Sequence, residues 1–241
     1  MFTSFRRSFD SSFSAGFRAM LPLWTGLIPF GLAYALSART AGLSPFDTQL
    51  MSVVVLAGSA QFSAAGLFGL GASGASIILT TFVINLRHLL YTLTLGQKLK
   101  GLTWSQKLLA AHFTTDEAFG VTIASDASDH GVTYPFFMGA ALSLFVSWNA
   151  STLAGILLST AIPDPAALGI DFIFPLAFLA LLIPLLKRWT EVGIAALAGI
   201  SALLVTDLIG SGLTIFLIGT FGALLGAWWT QPKTNVEQGS A

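Results

Sequence analysis

The sequence predicts an all-α, polytopic integral membrane protein of about seven or eight membrane helices, some of them interrupted or re-entrant. Three observations carry that reading. The chain is 54% hydrophobic and 9% charged, whereas a soluble domain is about 25% charged. Its mean hydropathy is +0.80. Several uncharged runs reach the roughly 20 apolar residues that one helical crossing needs, and they are continuous rather than alternating, which argues against a β-barrel. Cysteine is absent, so disulfides, thiolate zinc sites and thiol chemistry are not expected. A net charge of zero gives no sign of a nucleic-acid partner.

The elements follow in order. Phe2, Phe5, Phe9, Phe13 and Phe17 recur every three or four residues among serines, Arg6, Arg7 and Arg18. Residues 1–18 therefore read as an amphipathic helix lying in the membrane interface. Arg6-Arg7-Ser8-Phe9 resembles a twin-arginine export signal. The following apolar run, Ala19–Ala38, exceeds a signal core of about 7–15 residues, so it is expected to be retained as the first membrane helix. From Thr48 to Leu86 no Asp, Glu, Lys, Arg or His occurs. That run is nearly twice the length of one crossing, and Gly69-Leu70-Gly71-Ala72-Ser73-Gly74 is the place for it to turn back. Helices are expected over about 47–68 and 75–97. A weaker apolar segment covers 108–125, since His112, Asp116 and Glu117 fall inside it. Further helices are expected over about 132–162, 172–186, 192–206 and 208–229, with Trp228 and Trp229 as an interfacial anchor. Residues 19–230 form one transmembrane domain in this reading, and 231–241 a disordered polar tail.

Positive charge places both termini in the cytoplasm. The basic N-terminus, Lys187, Arg188 and Lys233 all fall on one side with eight spans, but Lys98, Lys100 and Lys107 then fall on the other. The conflict disappears if 47–68 and 108–125 are re-entrant or interrupted. A weak echo, Leu56–Ala60 against Leu197–Ala202, has the form of an inverted repeat, as found in secondary transporters. In a chain rich in Ala, Gly and Leu, chance explains it better.

Three polar clusters interrupt the apolar background. In Gly58-Ser59-Ala60-Gln61-Phe62 the small residues and Gln61 serve either helix packing or an unwound point whose free backbone groups face a cavity. In the second cluster, Asn85 and His88 share one helix face while Arg87 and Tyr91 share another. A charge at mid-membrane costs roughly 2.5–3.5 kcal/mol on insertion scales, so Arg87 needs a partner or a task. Thr114-Thr115-Asp116-Glu117 supplies the partner. The set is either a structural ion pair or a site in which His88, Asp116 or Glu117 carries protons. His112 and Asp116, four apart, are also in range of each other on a helix. In the last helix, Gly222 and Gly226 form a GxxxG pair. No nucleotide-binding, HExxH or GxSxG motif occurs, and three scattered histidines make no metal site, so neither an enzyme nor a cofactor is expected.

Gly58–Phe62, Asn85–Tyr91 and Thr115-Asp116-Glu117-Ala118-Phe119, preceded by Pro29-Phe30-Gly31, stand in an order and spacing that resemble the AzlC family. This is the large subunit of bacterial branched-chain amino-acid exporters, and the likeness runs from about Gly16 to Trp229. One departure is Thr92, where a glycine would be expected. The resemblance implies export of Leu, Ile and Val, with Met a further candidate, across the bacterial cytoplasmic membrane. It also implies a small AzlD-type membrane partner. A zwitterionic substrate needs an anion site, a cation site and an apolar pocket. Arg87 or the N–H groups near Gly58–Gln61 would take the carboxylate, and Asp116 or Glu117 the ammonium. Phe62 would help form the pocket, with Ser59, Asn85 and Tyr91 completing the site. The competing readings are a membrane-embedded enzyme acting on a lipid-like substrate and a non-transporting sensor or assembly subunit.

Overall fold

The computed structural model describes residues 2–125, 132–161, 179, 182–183, 186–209 and 211–229. Among the described residues every regular element is helical. Helix α1 (Phe2–Met20) runs through a 3-10 turn, Leu21–Leu23, into α2 (Trp24–Thr40). Four pieces follow as two pairs of short helices: α3 (Pro45–Val54) with α4 (Gly58–Gly69), and α5 (Gly74–Asn85) with α6 (Arg87–Lys98). A third pair is α7 (Trp104–His112) and α8 (Asp116–Ala124). The long α9 (Tyr134–Ala161) precedes α10 (Trp189–Ile209) and α11 (Ser211–Trp229).

Local chemistry sets the helix starts. Ser44, Ser73, Thr103 and Thr115 each cap a helix by accepting a backbone N–H, from Asp47, Ser76, Gln106 and Ala118 respectively. Each such cap stabilises its helix by about 1 kcal/mol. Pro45 follows Ser44 at the first helical position, where its missing N–H costs nothing.

Helix α9 is the spine, packed against α1, α2, α3 and α8. Its sequence explains why. Gly139, Ser143, Ser147, Ser151 and Gly155 recur every four residues and are all buried, a ladder of small residues that lets neighbouring backbones come close. The α1 crossing is the tightest. A Cβ on Gly16 would lie 2.0 Å from the Phe136 carbonyl oxygen, and one on Gly139 would lie 2.0 Å from that of Phe13. Gly155 is likewise pressed against Leu32 and Ala35 of α2. Around this ladder lies an aromatic core: Tyr34 meets Phe62 edge-on at 5.8 Å and stacks with Trp148 at 6.2 Å.

The structure revises several expectations. Phe13 packs against the core, and Phe17 meets the Trp24 ring at 6.3 Å. These last two members of the aromatic stripe therefore face protein. Among the described residues four stretches are long and apolar enough to cross a membrane: Ser11–Thr40, Gly74–Lys98, Tyr134–Ala161 and Trp189–Ile209. Segments 47–68 and 108–125, expected to be irregular, are each broken into two short helices. The helix expected over 75–97 is also interrupted, at Leu86 between Asn85 and Arg87. The two echo sequences differ in conformation: 56–60 spans a break, while 197–202 lies inside α10. That supports chance likeness. The break between His112 and Asp116 also removes the helical spacing that would have joined them. The His112 ring contacts Phe113 instead, at 5.0 Å. Of the Gly222–Gly226 pair, a Cβ added to Gly226 would lie 3.7 Å from Ile194 Cδ1 of α10, while one on Gly222 would meet nothing within 4 Å. The helix expected over 172–186 lies largely outside the described residues, and the tail from 231 wholly so.

Candidate substrate site

The helix breaks position the site. At Val55–Ala57 the chain leaves α3, passes through Leu56 at φ +43° and an extended Ala57, and starts α4 at Gly58 without a side-chain cap. A non-glycine residue at positive φ costs of order 1–3 kcal/mol and persists only where its surroundings hold it. Here they do so through a buried polar network. Gln61 Nε2 donates to Ser52 Oγ at 3.0 Å, and the Ser52 and Thr152 hydroxyls share a bond of 2.9 Å. Trp148 Nε1 donates to Gln61 Oε1 at 3.1 Å. One helix before the break, one after it and α9 are thus tied together. Trp148→Phe would leave the Gln61 oxygen buried without its donor, at a cost of about 1–3 kcal/mol. The expected result is a lower thermal midpoint in detergent.

The other two breaks face the first. Arg87 opens α6 directly after the kink at Leu86, and Asp116 opens α8 directly after its Thr115 cap. Arg87 Nη1 pairs with Asp116 Oδ2 at 2.5 Å, and Arg87 Nη2 donates to Ser59 Oγ at 2.6 Å. One guanidinium therefore joins all three breaks. Arg87 Nε and Asp116 Oδ1 make no hydrogen bond of normal geometry among the described residues, although the Tyr91 hydroxyl lies beside the Asp116 carboxylate.

These groups line a cavity of about 270 Å³, close to the lower end of the roughly 300–1,000 Å³ typical of small-molecule sites. From the 3-10 turn comes Leu23 and from α2 Gly26, Leu27 and Phe30; from the first break and α4 come Leu56, Ala57, Gly58, Ser59 and Phe62. Arg87, His88, Thr115, Asp116 and Glu117 form the polar wall, and Leu144 and Trp148 of α9 close the back. At the start of α4 the first N–H groups have no intrahelical acceptor, and the helix dipole adds partial positive charge there. Arg87 reinforces it. The cavity thus has an anion-seeking corner, a carboxylate corner and an aliphatic-aromatic floor.

Of the residues singled out from the sequence, Gly58, Ser59, Phe62, Arg87, His88, Asp116 and Glu117 meet at the cavity. Gln61 does not line it. Gly58, Ser59 and Phe62 occupy one face of α4, and Gln61 points about a quarter turn away into the network with Trp148. Asn85 ends α5 just outside, its carbonyl in contact with His88 Nδ1 at 3.0 Å. Tyr91 lies one turn deeper, stacked on Phe119 at 4.6 Å with its hydroxyl beside Asp116. The sequence reasoning missed Trp148, Ser52, Thr152 and Leu144. For Leu144, Trp148 and Thr152 the signal is the run of small and polar residues on one face of α9; Ser52, on α3, carries no comparable signal.

Comparison with known proteins places this architecture. The profile of the family described as AzlC protein matches residues 22–162, which contain every cavity-lining residue named above. The chain belongs to the AzlC family. A relative from Archaeoglobus fulgidus called an uncharacterized membrane protein is 30% identical over 91% of this chain and 96% of its own. The inner membrane protein YgaZ of Escherichia coli is 27% identical over 91% of this chain and 93% of its own. The branched-chain amino acid transport protein AzlC of Bacillus subtilis is 27% identical over 90% of this chain and 84% of its own. No solved structure matches the chain. This AzlC-family chain is a membrane protein, with helices of membrane-crossing length and relatives named as membrane proteins.

Proposed function

We propose that this AzlC-family protein is the larger subunit of a secondary-type exporter that moves branched-chain amino acids out of the cytoplasm, together with a small AzlD-type membrane subunit. Leucine, isoleucine and valine are the expected cargo, with methionine close enough in shape to share the pocket. The membrane is the bacterial inner membrane, with both termini cytoplasmic, and export is driven by protons or by the membrane potential.

One observation supports this reading above the others. The central ion pair lines the cavity with hydrogen-bonding capacity to spare: Arg87 Nε makes no hydrogen bond, and Asp116 Oδ1 makes none of normal geometry, with only the Tyr91 hydroxyl beside that carboxylate. A zwitterion offers the complement of both: a carboxylate for Arg87 Nε and the α4 N–H groups, and an ammonium for Asp116 Oδ1 with Glu117 alongside. Leu27, Phe30, Phe62 and Leu144 supply an apolar surface for the aliphatic side chain. A site built to satisfy both charged ends discriminates strongly against molecules lacking one, because the abandoned partner stays buried and unpaired.

The reading is tested by loading cells that lack their own exporters with isoleucine. Intracellular isoleucine should fall when this chain and its small partner are expressed together, and stay high with Arg87→Ala in place of the intact chain. An unchanged pool with both intact chains present in the membrane would contradict the exporter reading.

A further inference from the structure

We infer that Gly26 sets the upper size limit for the substrate side chain, a role that rests on the substrate reading of the cavity given above. Leu23, Gly26, Leu27 and Phe30 stand at the spacing of one helical face, and all four line the cavity. Three of them carry large apolar side chains. The fourth carries none, and packing does not demand its absence. A Cβ built on Gly26 meets nothing within 4 Å, whereas one on Gly31 would lie 2.0 Å from Ser151 Oγ and one on Gly58 would lie 3.1 Å from the Trp148 ring. Those two glycines are required by close approach, and Gly26 is not.

Glycine inside a helix costs about 1 kcal/mol relative to alanine. At Gly26 no neighbour repays that cost, and the space left open is cavity space. Residue 26 is exposed and stands next to buried Leu27 on the cavity-lining face. A side chain there would take up cavity volume without replacing Arg87, Ser59 or Asp116. It would therefore compete with the substrate's side chain and leave the groups for its charged ends in place.

The test uses a graded series, Gly26→Ala, Gly26→Val and Gly26→Leu, in the full chain expressed with its small partner. Membrane content of each variant is measured alongside competition of alanine, valine and leucine for export. The leucine-to-alanine preference should fall in steps with added volume, by about tenfold or more at Gly26→Val, since a single methylene in an apolar pocket is worth 10- to 200-fold. Gly26→Ala should insert at least as well as the parent chain. An unchanged preference across variants that still export would overturn the size limit alone. Uniform loss of all export already at Gly26→Ala would overturn it too, pointing to backbone flexibility. A parent chain blind to every aliphatic amino acid would overturn the substrate reading, and the size limit with it.

Discussion

If the chain exports branched-chain amino acids as proposed, that export should fall by more than about a hundredfold in Arg87→Met/Asp116→Leu, while the protein remains folded and inserted. The double variant separates the two meanings of the ion pair. Replacing a buried pair with apolar residues of similar size is often neutral or stabilising, whereas removing one partner strands a charge. Arg87→Met alone should therefore lower the thermal midpoint, and the double variant should recover it. The recovery is partial in scale because the side chains keep 32% and 37% of their surface open, so solvent screens part of the cost. If the pair served structure only, transport would return along with stability. Thermal unfolding in detergent, read beside export from loaded cells, gives both numbers. Export by the double variant near the parent level would remove Arg87 and Asp116 from the substrate site.

The second large effect is structural. Gly139→Ala should destabilise the protein by about 1–3 kcal/mol or more, because the added methyl group meets the Phe13 carbonyl oxygen at 2.0 Å and the Phe17 nitrogen at 2.9 Å. Neither is the flexible end of a side chain, so α1 and α9 must separate along the crossing. Lipid offers no hydrophobic force to press them back together. Gly16→Ala should behave alike from the other side, against Phe136. The control is Gly120→Ala in α8, where an added Cβ meets nothing within 4 Å. It should raise the midpoint slightly through helix propensity. Equal midpoints for Gly139→Ala and Gly120→Ala would contradict the close crossing.

These two predictions differ in how far the sequence foretold them. Arg87 and Asp116 were visible because charge in an apolar run is costly enough to demand an explanation, but the sequence left the partner of Arg87 open between Asp116 and Glu117. Irregularity in 47–68 and 108–125 was legible because complete crossings there would put Lys98, Lys100 and Lys107 opposite the other basic loops. The break at 113–115 was not legible, since His112 and Asp116 had the spacing of one continuous helix. The fate of Gln61 was not visible. Which face of α4 meets the cavity depends on where that helix starts, and Leu56 at positive φ sets the start through contacts distant in sequence. The Gly16–Gly139 crossing was hidden for the same reason, since nothing local says which glycines meet. Its one trace was the four-residue ladder from Gly139 to Gly155, whose period marks a packing face. For Phe13 and Phe17 the sequence leaves the neighbour open, because an aromatic face on a helix suits the membrane interface and a protein groove equally well. Only the partner helix α9 decides between them.

The claim on which the functional account depends is that one cavity holds both charged ends of an aliphatic amino acid. The direct test is binding to the purified chain with its small partner, comparing leucine with N-acetyl-leucine, which lacks the ammonium, and leucine methyl ester, which lacks the carboxylate. The account predicts that leucine binds and that each derivative binds at least about a hundredfold more weakly, as expected when a buried charged partner is left unpaired. Asp116→Asn should narrow the gap for the acetylated form, and Arg87→Gln the gap for the ester. Equal binding of all three ligands would contradict the account, because Arg87 and Asp116 could not then be reading the two ends of the substrate.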